Sequence, residues 1–138
     1  MDTRRNAIAM MSTALFAAGA APLAGKTSPW IKTPEDGRHI TAPFGEVHIY
    51  YKGETDQLRL LETLRVRVNP GYSPHPPHQH PEEEILLVVE GEGEFLLDGQ
   101  ASPCAAGTML YAAPGHSHGI KNTGSEPLTL HVFKWQPK

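Results

Sequence analysis

Beyond residue 44 the chain is cut by glycine and proline into short runs of β-forming residues, and none of these runs carries a helical stripe. In "LETLRVRV" Leu64, Val66 and Val68 alternate with polar neighbours, the period of two that a half-buried strand requires. "EVHIYY" precedes it, and "EILLVVE" and "EFLLD" follow. Asn69-Pro70-Gly71 ends one run and Gly91-Glu92-Gly93 joins two others, while Asp98-Gly99 and Asn122-Thr123-Gly124 are expected to close later hairpins. Strands this short cannot bury an apolar face alone, so the pattern predicts an all-β fold, a sandwich, barrel or jelly roll. "EILLVVE" sharpens the demand, because Leu86 and Val88 lie on one face and Ile85, Leu87 and Val89 on the other. Both faces need a cover. Another sheet, the N-terminal segment or a partner subunit could supply the second one, and a homodimer is the expected assembly.

With 138 residues the chain has room for one domain. Its first residues are of another character. Arg4 and Arg5 precede an apolar run from Ala7 to Ala18 and then small residues, the layout of an export signal. The run falls short of the roughly 20 residues that span a bilayer, so no membrane association is expected of the mature form. Paired arginines resemble a twin-arginine signal, which exports proteins already folded. Ala7 stands where such signals usually carry a bulkier residue, which leaves ordinary secretion as the alternative. The expected division is a signal at residues 1–20, a polar lead-in at 21–43 and the β domain at 44–136, with the bacterial periplasm as destination. Cys104 is alone, so no internal disulfide can form. With 12 basic against 15 acidic residues, and with Arg65 and Arg67 spaced along one strand face, no basic stripe exists for a nucleic acid to follow.

The stretch "HPPHQHPEEE" gathers three imidazoles and three carboxylates between His75 and Glu84. His78 and His80, two apart, project to the same side of an extended chain. Glu84 would lie about 13 Å farther along a straight strand, so the chain must turn at Pro81 for the three to share one ion. Two imidazoles and a carboxylate form a facial set that suits Fe(II) and accepts Mn, Ni, Cu or Zn. "GTMLYAAPGHSHGIKN" offers His118 after a Pro-Gly turn as a fourth ligand.

The two segments resemble the paired motifs of the cupin superfamily. The first reads Gly71, six residues, His78-Gln79-His80, three residues, Glu84, six residues, Gly91; the second reads Gly107, five residues, Ala113-Pro114-Gly115, two residues, His118, three residues, Asn122. The first gap is one residue longer than usual, and Ala113 replaces a proline. The resemblance implies a double-stranded β-helix, or jelly-roll barrel, in which His78, His80, Glu84 and His118 hold one divalent metal. It also implies a small oxygen-bearing substrate or ligand. Dioxygenase is the leading expectation; a non-oxidative isomerase or lyase and a non-catalytic binding or sensing module are the alternatives. Glu84, His75 or His116 could move a proton, and Tyr111 could donate a hydrogen bond if it faces inward. The side on which His131 lies is open, and His39 and His48 have no partner visible in the sequence.

Overall fold

The computed structural model describes residues 27–138, so the proposed export signal at 1–20 lies outside the described part. Nine strands follow one another with no helix among the described residues: β1 (Arg38–Ala42), β2 (Gly45–Gly53), β3 (Leu58–Val68), β4 (Glu83–Glu90), β5 (Glu92–Leu97), β6 (Gln100–Ala105), β7 (Met109–Ala112), β8 (His118–Lys121) and β9 (Leu128–Pro137). Six of them form one sheet in the order β1-β2-β3-β9-β4-β7, and three form a second in the order β6-β5-β8. Every pairing is antiparallel.

The core lies between the sheets, as the alternation in the sequence demands. Val66 and Val68 of β3, Leu86 and Val88 of β4, and Leu128, Leu130 and Val132 of β9 turn inward from the large sheet, and Phe95, Cys104 and Ile120 come from the small one. Cys104 is a buried packing residue whose thiol is pushed upward in pKa by burial, which leaves it inert.

Two turns differ in kind from a simple hairpin. Gly91 joins β4 to β5, which belong to different sheets, and so marks a corner of the barrel. Its φ of 87° admits glycine, and a Cβ there would meet the Pro127 carbonyl oxygen at 2.4 Å. Asn122-Thr123-Gly124, expected to close a hairpin, instead begins the crossover from β8 in the small sheet to β9 in the large one. The buried Asn122 side chain does the joining: its Nδ2 donates to Val68 O at 2.9 Å and Glu126 O at 2.8 Å, and its Oδ1 accepts from Gly124 N at 3.0 Å. Asp98-Gly99 does close a hairpin, β5 to β6, with φ of 48° and 80° as a two-residue turn requires.

β1 falls inside the segment expected as lead-in and forms an edge of the large sheet. β6 carries Pro103, which a strand tolerates here because β6 is also an edge. On the outer face of the large sheet, register places His39, His48, Arg65, His131, Leu87 and Met109 in one row across six strands. His39 stacks on His48 with ring centroids 4.1 Å apart. His131 thus belongs to the outer face, away from the core.

Candidate metal centre

His78 and His118 are brought together by backbone: His78 N donates to His118 O at 3.0 Å, and His118 N donates to His78 O at 2.9 Å. This isolated bridge fastens the loop that carries His78 to β8. His78 and His80 therefore stand on an irregular, proline-bearing segment rather than on a regular strand. Gly115 N donates to His80 O at 2.9 Å, which anchors the other end of the pair. The chain then bends at Pro81 and Glu82 before β4 returns Glu84 to the same place, the reversal that the spacing requires.

Ligating atoms of His78, His80, Glu84 and His118 lie within 4.8 Å of one another. Glu84 Oε2 is 2.7 Å from both His80 Nε2 and His118 Nε2. Ligands about 2.1 Å from one ion and at right angles would be about 3 Å apart, close to this spacing. The three rings are steeply inclined to each other, at 78°, 70° and 85°, with centroids 4.8 to 5.1 Å apart, an arrangement of edges converging on a point rather than of stacked faces.

The donor chemistry fits a cation. His118 Nδ1 donates to His116 O at 2.9 Å, and His80 Nδ1 donates to Glu82 O at 3.2 Å, so both rings turn Nε2 toward Glu84. A neutral imidazole held this way sets a lone pair against a carboxylate oxygen, which is repulsive. A cation between them makes the contact attractive. The contact with Glu84 accordingly raises the His118 pKa against the opposing effect of burial. Burial pushes the Glu84 carboxyl upward, but its contacts with His118 and His80 outweigh that and hold it below the ordinary range. His78 moves the other way, to about 4, through burial and through the neighbouring imidazoles of His75, His118 and His80. A neutral His78 is ready to ligate.

The cluster forms one wall of a cavity of ≈ 240 Å³. Phe44, Leu64, Val66, Leu130 and Val132 make an apolar lining, and the polar groups are His75, His78, Glu84, His118, Glu62 and Lys134. His75 stacks on His78 with centroids 3.8 Å apart, and its Nδ1 donates to Pro76 O at 2.8 Å. It is placed to meet a bound molecule. Tyr111 is not: alternation along β7 sends Leu110 and Ala112 inward and leaves Tyr111 51% exposed on the outer face. The inward orientation on which its role depended is absent. His116 also points away, pairing with Asp98 at 2.7 Å in an exposed contact, and serves the cluster only through its carbonyl. Glu62 and Lys134 were missed in the sequence, although Glu62 is in phase with Leu64 and Val66, and Lys134 with Leu130 and Val132. A charge in the inward phase of an apolar strand is the signal that would have found them.

A double-sheet β barrel with three imidazoles and a carboxylate converging at the wall of an internal cavity defines a class of metal-binding barrel proteins. The chain belongs to the cupin family: the model of the cupin domain matches residues 64–134. It is 31% identical over 98 residues to an oxalate-binding protein of Thermotoga maritima, covering 70% of this chain and 81% of that one. Over 61 residues it is 31% identical to a dimethylsulfoniopropionate lyase of Ruegeria pomeroyi, covering 44% of this chain and 30% of the lyase. Among solved structures, a predicted oxalate decarboxylase from Thermotoga maritima superposes with a TM-score of 0.61 at 26% identity, over 78% of this chain and 99% of that one. A cupin 2 conserved barrel domain protein from Salinispora arenicola has the same fold, with a TM-score of 0.62 at 24% identity, over 80% of this chain and 91% of its own.

Proposed function

We propose that the chain is a mononuclear metal enzyme acting on a small oxygen-bearing molecule, with dioxygenation as its chemistry. The observation that carries this reading is the convergence of His78, His80, Glu84 and His118 at the wall of an apolar cavity. When bound, a redox-active divalent ion would supply oxygen activation, and a redox-inert one would supply Lewis acidity. The four side chains would hold it and leave positions for substrate, because four protein ligands do not fill the shell of a metal that prefers six. The cavity is smaller than the roughly 300–1,000 Å³ of drug-sized sites, so the substrate is small. The apolar part of its lining, Phe44, Leu64, Val66, Leu130 and Val132, would offer water no hydrogen bonds and would admit an apolar gas. His75, at the rim, is the side chain placed to carry a proton to or from the substrate.

A second reading, non-oxidative decarboxylation, lysis or isomerisation, is favoured by the likeness to the oxalate-binding protein and to the lyase. One experiment separates the two. The metal of the purified protein is identified by elemental analysis, and oxygen uptake is followed with an electrode during incubation with oxalate and other small oxygen-bearing compounds. Iron, copper or manganese with uptake of one O2 per product, both oxygen atoms kept in the product and no hydrogen peroxide released, supports dioxygenation; product without uptake overturns it in favour of the second reading. Tight retention of a compound with no product would mean a binding module.

We also infer that the protein is exported on its Arg4-Arg5 signal and pairs with a second copy. Replacing both arginines by lysine should abolish periplasmic accumulation on a twin-arginine route. An unchanged periplasmic yield would point to ordinary secretion instead.

A further inference from the structure

One row of charges crosses the inward side of the large sheet. Register sets Lys52 of β2 opposite Glu62 of β3, Glu62 opposite Lys134 of β9, and Lys134 opposite Glu84 of β4. Glu62 is 4% exposed and is gripped on both oxygens, by Lys52 Nζ at 3.0 Å and Lys134 Nζ at 2.6 Å. Lys52 stands largely in solvent at the end of this row, whereas Lys134 lines the cavity alongside Glu84 and His118. Stability does not require such a pair, since apolar residues of similar volume usually serve a barrel interior as well or better. Lys134 also has unused capacity: an ammonium carries three donors, and Glu62 is its one ion-pair partner among the described residues.

We propose that Lys134, held in place by Glu62, anchors a carboxylate of the substrate beside the metal centre, so that the substrate is a small carboxylic acid bearing a second oxygen function. This rests on the metal-enzyme reading above and adds the substrate class to it. Charge balance agrees. A divalent ion, Lys134 and Lys52 against Glu84 and Glu62 would leave the site net positive, which favours an anion. Geometry agrees as well, because Lys134 and Glu84 face each other across adjacent strands. A short molecule can therefore touch the ammonium at one end and the metal side at the other. Its carbon body would lie on Leu64, Val66, Leu130 and Val132.

The test uses the purified metal-containing protein and two probes of matched shape, pyruvate and its neutral amide, with binding measured by calorimetry and metal content measured on the same samples. Wild-type protein should prefer pyruvate, and Lys134→Met should weaken pyruvate binding about tenfold or more, the effect of one charge-assisted hydrogen bond, while weakening the amide far less, so that the preference is lost. Lys134→Arg should retain most of the preference. Because Lys134→Met leaves one oxygen of the buried Glu62 carboxylate without its cation, the double variant Glu62→Gln with Lys134→Met, which releases only the solvent-facing Lys52, is measured beside it and should show the same lost preference. Equal pyruvate binding by wild type and the double variant, with metal retained, overturns the anchor and leaves the metal reading standing. So does a wild type that fails to prefer pyruvate over its amide. Wild-type protein that prefers pyruvate yet holds no metal would overturn the metal reading and keep the anchor.

Discussion

At the residue scale the site is a set of charges that make sense only together. Glu84 is buried beside His80 and His118, and a cation shared with these imidazoles would make its burial tolerable. Replacing His78 and His80 together by alanine should remove nearly all bound metal and lower the melting temperature, since metal affinity is coupled to folding. Elemental analysis with thermal melts checks this; full metal retention would show that other residues hold the ion. The pH dependence has a definite sign. His78 is held down to about 4 in the folded chain, against 6.5 in the unfolded one. Between those values the unfolded chain takes up a proton that the folded chain refuses. The contribution of His78 is thus present above pH 6.5 and is lost progressively as pH falls toward 4. His131, lowered by burial and by Arg65, acts in the same direction. His118 is raised, so its contribution changes above 6.5 and not inside this window. Chelator-treated protein should accordingly melt at a lower temperature at pH 4.5 than at pH 6.5. Metal release on acidification should take up protons, as a titration with a metal-sensitive dye would record.

At the scale of elements, the crossover at Asn122 holds the two sheets in register. Asn122→Ala would leave the Val68 carbonyl without its side-chain donor in a buried place and the Glu126 carbonyl without its donor in a half-buried one, and cost about 1–3 kcal/mol, measurable as a lower urea midpoint at unchanged slope. Metal stoichiometry should stay the same, because Asn122 is no ligand. The elements also mark how far the sequence could be read. β3 declares itself because Leu64, Val66 and Val68 follow a period of two, and β4 because its short apolar run is bounded by turn signals. β6 does not, since Pro103 and a run of small polar residues erase the period, and only its place at an edge makes the strand possible. The crossover was read as a hairpin because turn chemistry at Asn122 and Gly124 specifies a local reversal and says nothing about which sheet the chain enters next. For the site, the spacing of His78, His80, Glu84 and His118 was legible because ligand spacing is local. The directions of Tyr111 and His116 were not, since a residue beside a turn takes its direction from sheet register and loop path. Lys134 and Glu62 lie 72 positions apart in the numbering and meet only through the pairing of β3 with β9.

For the whole molecule, the outer face of the large sheet stands out: Met109 is 58% exposed, Tyr111 51%, Val89 41% and Phe133 39%. Arg65 and Glu83 lie on the same face, so two copies related by a two-fold axis could set each arginine against the other copy's glutamate. The expected homodimer would use this face, and Phe133→Glu should shift the sedimentation of the protein to that of a monomer. A variant that sediments like wild type would place the contact elsewhere. The bridge between His78 and His118 has its own consequence at this scale. An ion held by both residues would tie together two points forty positions apart in a chain whose single cysteine can form no internal disulfide. It acts as a clasp, and the unfolded chain that still held it would forfeit loop entropy worth roughly 4 kcal/mol, by analogy with a disulfide closing a loop of that size. The barrel should then resist rupture in time as well as at equilibrium. Unfolding in strong denaturant should proceed slowly with metal present and accelerate many-fold once a chelator strips it, as stopped-flow fluorescence from Trp135 and Trp30 would follow.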